Sequence, residues 1–143
     1  MASKNTAALA GEFLVAGELS RRGYPVSITM GNAKAIDIYA TAQNEVTIRV
    51  DVKASRYKTS WPVGRVEESL YYIFVSLQTE DETSKNAPPE YFIISGKEIL
   101  DKKLLTEWEN MSGIKYTALN TKTTRDDKEG WDYKERWDKL PPP

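Results

Sequence analysis

Residues 35–53 read AIDIYATAQNEVTIRVDVK. Apolar and polar side chains alternate on either side of the polar triplet Gln43, Asn44 and Glu45. Ile36, Ile38 and Ala40 share one face of the first half, and Val46, Ile48, Val50 and Val52 share one face of the second. A period of two marks a strand with one buried face, and a polar turn between two such runs makes a hairpin. With the turn centred on Asn44, antiparallel partners have numbers summing to 88, which sets Asp37 opposite Asp51. Opposed carboxylates, with Cβ atoms about 5 Å apart, repel each other. A divalent cation held between them relieves the conflict, and Mg²⁺ would keep waters for a phosphate and a nucleophile. Lys53 lies two residues beyond Asp51 on the same face, where an ammonium can orient water or stabilise charge building on a phosphate.

The tripeptide Asp-x-Lys is common in a chain with 29% charged residues and recurs at Asp101/Lys103, Asp126/Lys128 and Asp132/Lys134. Outward charges on a strand usually mark a solvated face. Only the copy at Asp51 combines an apolar-backed strand with a second aspartate across the hairpin.

Working outward, Leu9, Phe13, Ala16 and Leu19, with Ala8, Leu14 and Val15, recur at helical spacing over 6–22. Arg21, Arg22 and Gly23 form a C-terminal stop. On this helix Glu12 shares a stripe with Ala16 and Leu19 and should face the sheet, while Glu18 should face water. Alternation over 24–30 suggests a further strand. Residues 54–69 read as an irregular loop, 70–77 as a strand buried on both faces, and 90–94 as another strand. Ser95 opens a helix through Ile99, Leu104 and Trp108, with Glu98 completing a capping box. In the charged remainder, Tyr133, Trp137 and Leu140 are spaced for a short docking helix.

With 143 residues, 40% of them hydrophobic, the chain fits one domain over 1–143, with a core over 7–110 and a charged, aromatic extension over 111–143. It contains no cysteine and no histidine. That removes Cys/His zinc sites, disulfides, Ser-His-Asp and Cys-His catalysis and any histidine base. Carboxylates and lysine remain, a set suited to hard cations such as Mg²⁺. No apolar run is long enough to span a membrane, and the start lacks the layout of a signal peptide, so a cytoplasmic location is expected. Net charge is −1, which excludes coating of nucleic acid by global charge alone.

Taken together, the helix with Gly11-Glu12 ending at Gly23-Tyr24, the segment Ala35-Ile36-Asp37-Ile38, and the strand Ile48-Arg49-Val50-Asp51-Val52-Lys53 closing in Ala54-Ser55 resemble the PD-(D/E)XK nuclease superfamily. The resemblance is strongest to its Holliday-junction-resolvase-like branch and to a group of small bacterial proteins of that fold, and it spans about residues 7–94. It implies an α+β core with a central mixed sheet flanked by helices, in the order α-β-β-β-α-β, and makes a homodimer plausible. It further implies that Asp37 and Asp51 bind Mg²⁺ or Mn²⁺, that Glu12 completes the metal shell, and that Lys53 is the catalytic lysine. For Glu12 a surface position on the helix is the alternative. Ile36 stands where the family pattern has proline, and Asp51 is the shorter of the two acids allowed.

From 49 to 65, five cations (Arg49, Lys53, Arg56, Lys58 and Arg65) stand against the single acid Asp51, a net of +4. This segment can face phosphates, and Tyr57 and Trp61, interleaved with the cations, either stack on unpaired bases or anchor a surface loop. The expected activity is Mg²⁺-dependent hydrolysis of a nucleic-acid phosphodiester, with DNA as the substrate. The alternative is a module that keeps the fold for binding nucleic acid or protein without cleavage.

Overall fold

The computed structural model describes residues 4–31, 35–56, 60–79, 87–120 and 133–143. Residues 35–53 form the hairpin that their alternation predicts. Strand β2 (Ile38–Thr41) runs antiparallel to β3 (Thr47–Ser55), pairing Ile38 with Val50 and Thr41 with Thr47. Between them a 3-10 turn holds Asn44 at φ 59°, a left-handed conformation that the short polar side chain of asparagine tolerates. Ile48, Val50 and Val52 are buried, whereas Thr47 and Arg49 on the other face are exposed.

Strand β1 (Val26–Ile28) pairs with β2 on the outside of the hairpin. On its other side β3 runs parallel to β5 (Tyr71–Ser76), which pairs antiparallel with β6 (Glu90–Ser95). The result is a five-stranded mixed sheet in the order β1-β2-β3-β5-β6. A parallel pair needs a long crossover, supplied here by residues 56–70. That crossover carries a strand of its own, β4 (Ser60–Val63), where the sequence suggested only a loop. β4 forms a second sheet with β7 (Leu105–Glu109) and β8 (Lys115–Asn120), in the order β4-β8-β7. As an edge strand, β4 accommodates Pro62.

One face of the main sheet is covered by helix α1 (Lys4–Arg21). The helix stops in a Schellman turn: Gly23, at φ 100°, donates to the Ser20 carbonyl at 3.0 Å, and Tyr24 donates to that of Leu19 at 3.0 Å. Its sheet-facing stripe is Ala7, Gly11, Glu12, Val15, Ala16 and Leu19. Leu9, Phe13 and Leu14, which the sequence grouped with the buried stripe, are exposed on the outer side, because small residues suffice where helix and sheet meet closely. At Gly11 the approach is closest, since a Cβ there would come 2.5 Å from the Ala54 Cβ. The chain's last segment closes this face. Trp137 and Leu140 are buried against it, Tyr24 Oη donates to the Pro141 carbonyl at 2.7 Å, and the Gln43 N–H donates to that of Pro142 at 2.9 Å.

The opposite face is covered over β5 and β6 by Trp61, Val63, Leu119, Ile99, Leu104 and Tyr133. Helix α2 is shorter than its periodicity suggests. The Ser95 hydroxyl caps it by accepting from the Glu98 N–H at 3.1 Å, but the helix covers only Gly96–Asp101. Lys103 then turns left-handed at φ 51°, and 105–109 joins the second sheet as β7 instead of extending the helix. Tyr133, Trp137 and Leu140 do dock, but through a bridge from Lys134 to Phe92 and a 3-10 turn at Trp137–Lys139 in place of an α-helix. The architecture is α+β, a mixed central sheet with helices packed on it. Its element order departs from α-β-β-β-α-β in that β4, not a helix, follows β3, and α2 comes after β6. No helix among the described residues is long and apolar enough to cross a membrane.

Candidate active site

Strands β2 and β3 part company just before Ile38. Regular alternation would put Ile36 and Ile38 on the same face, but Ile38 packs under α1 while Ile36 joins the core on the opposite side. The chain therefore bends at Asp37. Its N–H still reaches the Val50 carbonyl at 3.2 Å, and its Oδ2 accepts the Val52 N–H at 2.7 Å. A side-chain carboxylate thus takes over where the backbone ladder of β2 has ended. Thr29, just past the end of β1, fixes the bend: its N–H donates to the Asp37 carbonyl at 2.9 Å, and its hydroxyl donates to the carbonyls of Ile36 and Asp37. Asp37 and Asp51 are therefore not simple cross-strand partners. The Asp37 carboxylate lies on the amide joining Asp51 to Val52, beside Asp51 rather than across from it.

Asp51 and Lys53 project from the face of β3 opposite α1, as alternation requires. Lys53 Nζ lies 3.0 Å from Asp51 Oδ1, with the lysine side chain 33% exposed and the aspartate 19%. Asp51 pairs in register with Tyr72 of β5, and Lys53 with Phe74. Burial pushes the Tyr72 phenol above its usual range. The Glu67 N–H, donating to Tyr72 Oη at 2.9 Å, works against this, while the Asp51 and Glu67 carboxylates push it up further. Tyr72 thus forms a neutral floor beside the Asp51 charge.

Glu12 is buried on the sheet-facing stripe of α1, 6% exposed, next to the Gly11 contact with Val52 and Ala54. It approaches β3 from the α1 side, whereas Asp51 and Lys53 leave β3 on the other. Among the described residues no group of three acidic side chains stands close enough to hold a metal ion, so Glu12, Asp37 and Asp51 do not close into one cluster. The carboxylates of Asp37 and Asp51 are nonetheless a donor pair that suits Mg²⁺, which rarely takes an all-protein cage.

Of the expected nucleic-acid contacts, Arg49 is exposed on the same face as Asp51, Arg56 is half-buried at the end of β3, and Arg65 is exposed after β4. Tyr57 and Lys58 lie outside the described residues. Trp61 is not a base platform. It is 1% exposed, donates from Nε1 to the Val75 carbonyl at 3.1 Å, and packs on Phe74 and Phe92 with ring centroids 5.4 and 5.5 Å away. A buried anchor of the second sheet is what its place in β4 makes it. Thr29 and Tyr72 carry no pattern that singles them out in the sequence; only the bend at Asp37 and the parallel register of β5 bring them to the site.

The fold is similar to that of a solved bacterial homing endonuclease, I-Ssp6803I. The TM-score is 0.58, at 11% identity, over 96% of this chain and 91% of that one. The two chains share a fold. Identity this low does not extend the likeness to individual residues or to activity. No protein-family model matches the chain, and no curated protein matches it.

Proposed function

We propose that this protein is a metal-dependent nuclease of the PD-(D/E)XK kind that hydrolyses phosphodiester bonds of DNA. One observation carries the reading: the Asp51–Lys53 pair, 3.0 Å apart, lies beside the Asp37 carboxylate at the place where β2 and β3 separate. Asp37 and Asp51 would hold Mg²⁺ or Mn²⁺, while Glu12, buried on the α1 side of β3, stays outside that pair. Bound there, the ion would screen the phosphate and favour deprotonation of an attacking water. Asp37 keeps one oxygen on the Val52 N–H, which fixes the orientation of the other. Lys53, partly exposed and tethered to Asp51, presents its ammonium to the phosphate, where it would stabilise the charge that develops during cleavage. The structural likeness to an endonuclease supports the reading at the level of the fold.

The test is cleavage of duplex and single-stranded DNA by wild type, Asp37→Ala, Asp51→Asn and Lys53→Ala, each with Mg²⁺, with Mn²⁺ and with a chelator. Wild type should cut only with metal, and each variant should lose about 10²-fold or more in rate while keeping its fold. Variants that cut as fast as wild type would overturn the assignment. A second reading, in which the fold serves binding alone, is favoured by the lack of a three-carboxylate cluster among the described residues. Thermal melting separates the two. A competent site at a metal concentration 100 times its Kd gains about 2.7 kcal/mol by linkage, and a site that binds no metal gains nothing.

A further inference from the structure

On the face that carries Asp51 and Lys53, the second sheet and α2 cover β5 and β6, with Trp61 packed at a tilt against Phe74 and Phe92. The other half of that face, over β1, β2 and β3, presents Ser27, Tyr39, Thr41, Thr47 and Arg49, all exposed. The register arranges them in order. Ser27 is opposite Tyr39 and Tyr39 is opposite Arg49, giving one row across three strands, while Thr41 and Thr47 form a pair beyond it. Neighbouring strands are about 4.8 Å apart, so the row spans about 10 Å and ends about 7 Å along β3 from Asp51. In a chain with 21 acidic residues, none of the five is acidic.

Resting on the nuclease reading above, we propose that this open half-face is the track along which a polynucleotide strand is led to Asp51 and Lys53. Its chemistry fits that occupant and does not fit an apolar partner. Serine and threonine hydroxyls and arginine are the groups that hold phosphate and sugar oxygens. An aromatic ring standing on an exposed sheet gives a base or sugar a flat surface to stack on. Tyr39 is 38% exposed and lies directly across from Arg49, so one nucleotide can meet both. Continuity with the site completes the case, since Arg49 and Asp51 are two residues apart on the same side of one strand.

The test is fluorescence anisotropy with a labelled DNA duplex and its single strand, in chelator so that nothing is cut, from 50 to 200 mM salt. Arg49→Ala should weaken binding and reduce the salt slope by about one, so that wild type loses about 3.5-fold more affinity than the variant across that range. Tyr39→Ala should weaken binding by about fivefold or more if the ring stacks, with Tyr39→Phe retaining it. A Tyr39→Ala loss confined to the single strand assigns the row to unpaired nucleotides; a loss on both forms assigns it to the backbone. Arg21→Ala, on α1 across the sheet, makes the same change in charge and should bind as wild type. If Arg49→Ala and Tyr39→Ala bind both forms unchanged, or Arg21→Ala falls as far as they do, the track is wrong even where cleavage depends on Lys53. If the two row variants lose binding while Asp51→Asn and Lys53→Ala cut normally, the track stands and the nuclease site falls. If wild type binds neither form, both are overturned.

Discussion

A methyl group added to α1 should have opposite effects at Gly11 and Gly17. Alanine in a helix interior is favoured over glycine by about 0.5–1 kcal/mol. At Gly17 a Cβ meets nothing within 4 Å, so Gly17→Ala should gain about that amount. At Gly11 the same carbon lands 2.5 Å from the Ala54 Cβ and 3.5 Å from Val52 Cγ1. Carbon atoms prefer about 3.5–4.0 Å, so helix and strand would have to separate by about 1 Å. Ala54 has no rotamer with which to give way. Overpacking of this kind costs about 1–3 kcal/mol, which outweighs the propensity gain and leaves Gly11→Ala destabilised by about 1 kcal/mol or more. Urea melts followed by far-UV circular dichroism read this as a lower midpoint at unchanged slope. The double variant Gly11→Ala/Ala54→Gly removes the clashing carbon and should recover part of the loss, as a coupling above about 0.5 kcal/mol. Gly11→Ala as stable as wild type, or a double variant with purely additive losses, would refute the close approach of α1 to β3.

Thr29→Val should cost about 0.5–1.5 kcal/mol and shrink the metal-induced rise in melting temperature, because its hydroxyl holds the carbonyls at the Asp37 bend. Thr29→Ser should restore the metal response; a metal response intact in Thr29→Val would disprove the pinning. Glu18 accepts from Arg21 at 2.6 Å and from Arg22 at 2.8 Å, and its bond to Arg21 holds its pKa below the ordinary glutamate range. The unfolded chain therefore binds this proton first as the pH falls. Its contribution is full above the ordinary glutamate value and is lost on acidification through the lower folded value. Glu18→Gln should flatten the acid side of the stability profile, and an unchanged profile would contradict the assignment. Trp137, 4% exposed and packed at a tilt against Tyr91 with ring centroids 5.3 Å apart, should cost about 3–5 kcal/mol when replaced by alanine, measured by urea melting.

The hairpin was legible in the sequence because a period of two admits one reading when the alternating residues are this regular. From it came the register, the common face of Arg49, Asp51 and Lys53, and, by the helical period, the inward turn of Glu12. The bend at Asp37 was not legible. Ile36 continues the alternation in sequence, and only the separate cores above and below the sheet pull it to the other side. The second sheet was hidden for a related reason. Leu104, Leu105 and Trp108 fit a helical spacing as well as a strand, and the left-handed break at Lys103 falls on a residue type that gives no warning of it. Trp61 among cations matches a base platform in composition, but composition cannot tell which way a ring points once Ser60–Val63 pairs as a strand.

The strap formed by residues 137–142 ties the order of synthesis to the order of folding. Tyr24 and Gln43 find their carbonyl partners in Pro141 and Pro142, and Trp137 completes a core that α1 shares. During synthesis the hairpin can assemble before residues 137–142 are made, but α1 stays incompletely covered until they have emerged. Contacts of such long sequence separation form late and slowly, so the vulnerable interval on the ribosome is set by the separation between α1 and this strap and not by the hairpin at residues 38–55.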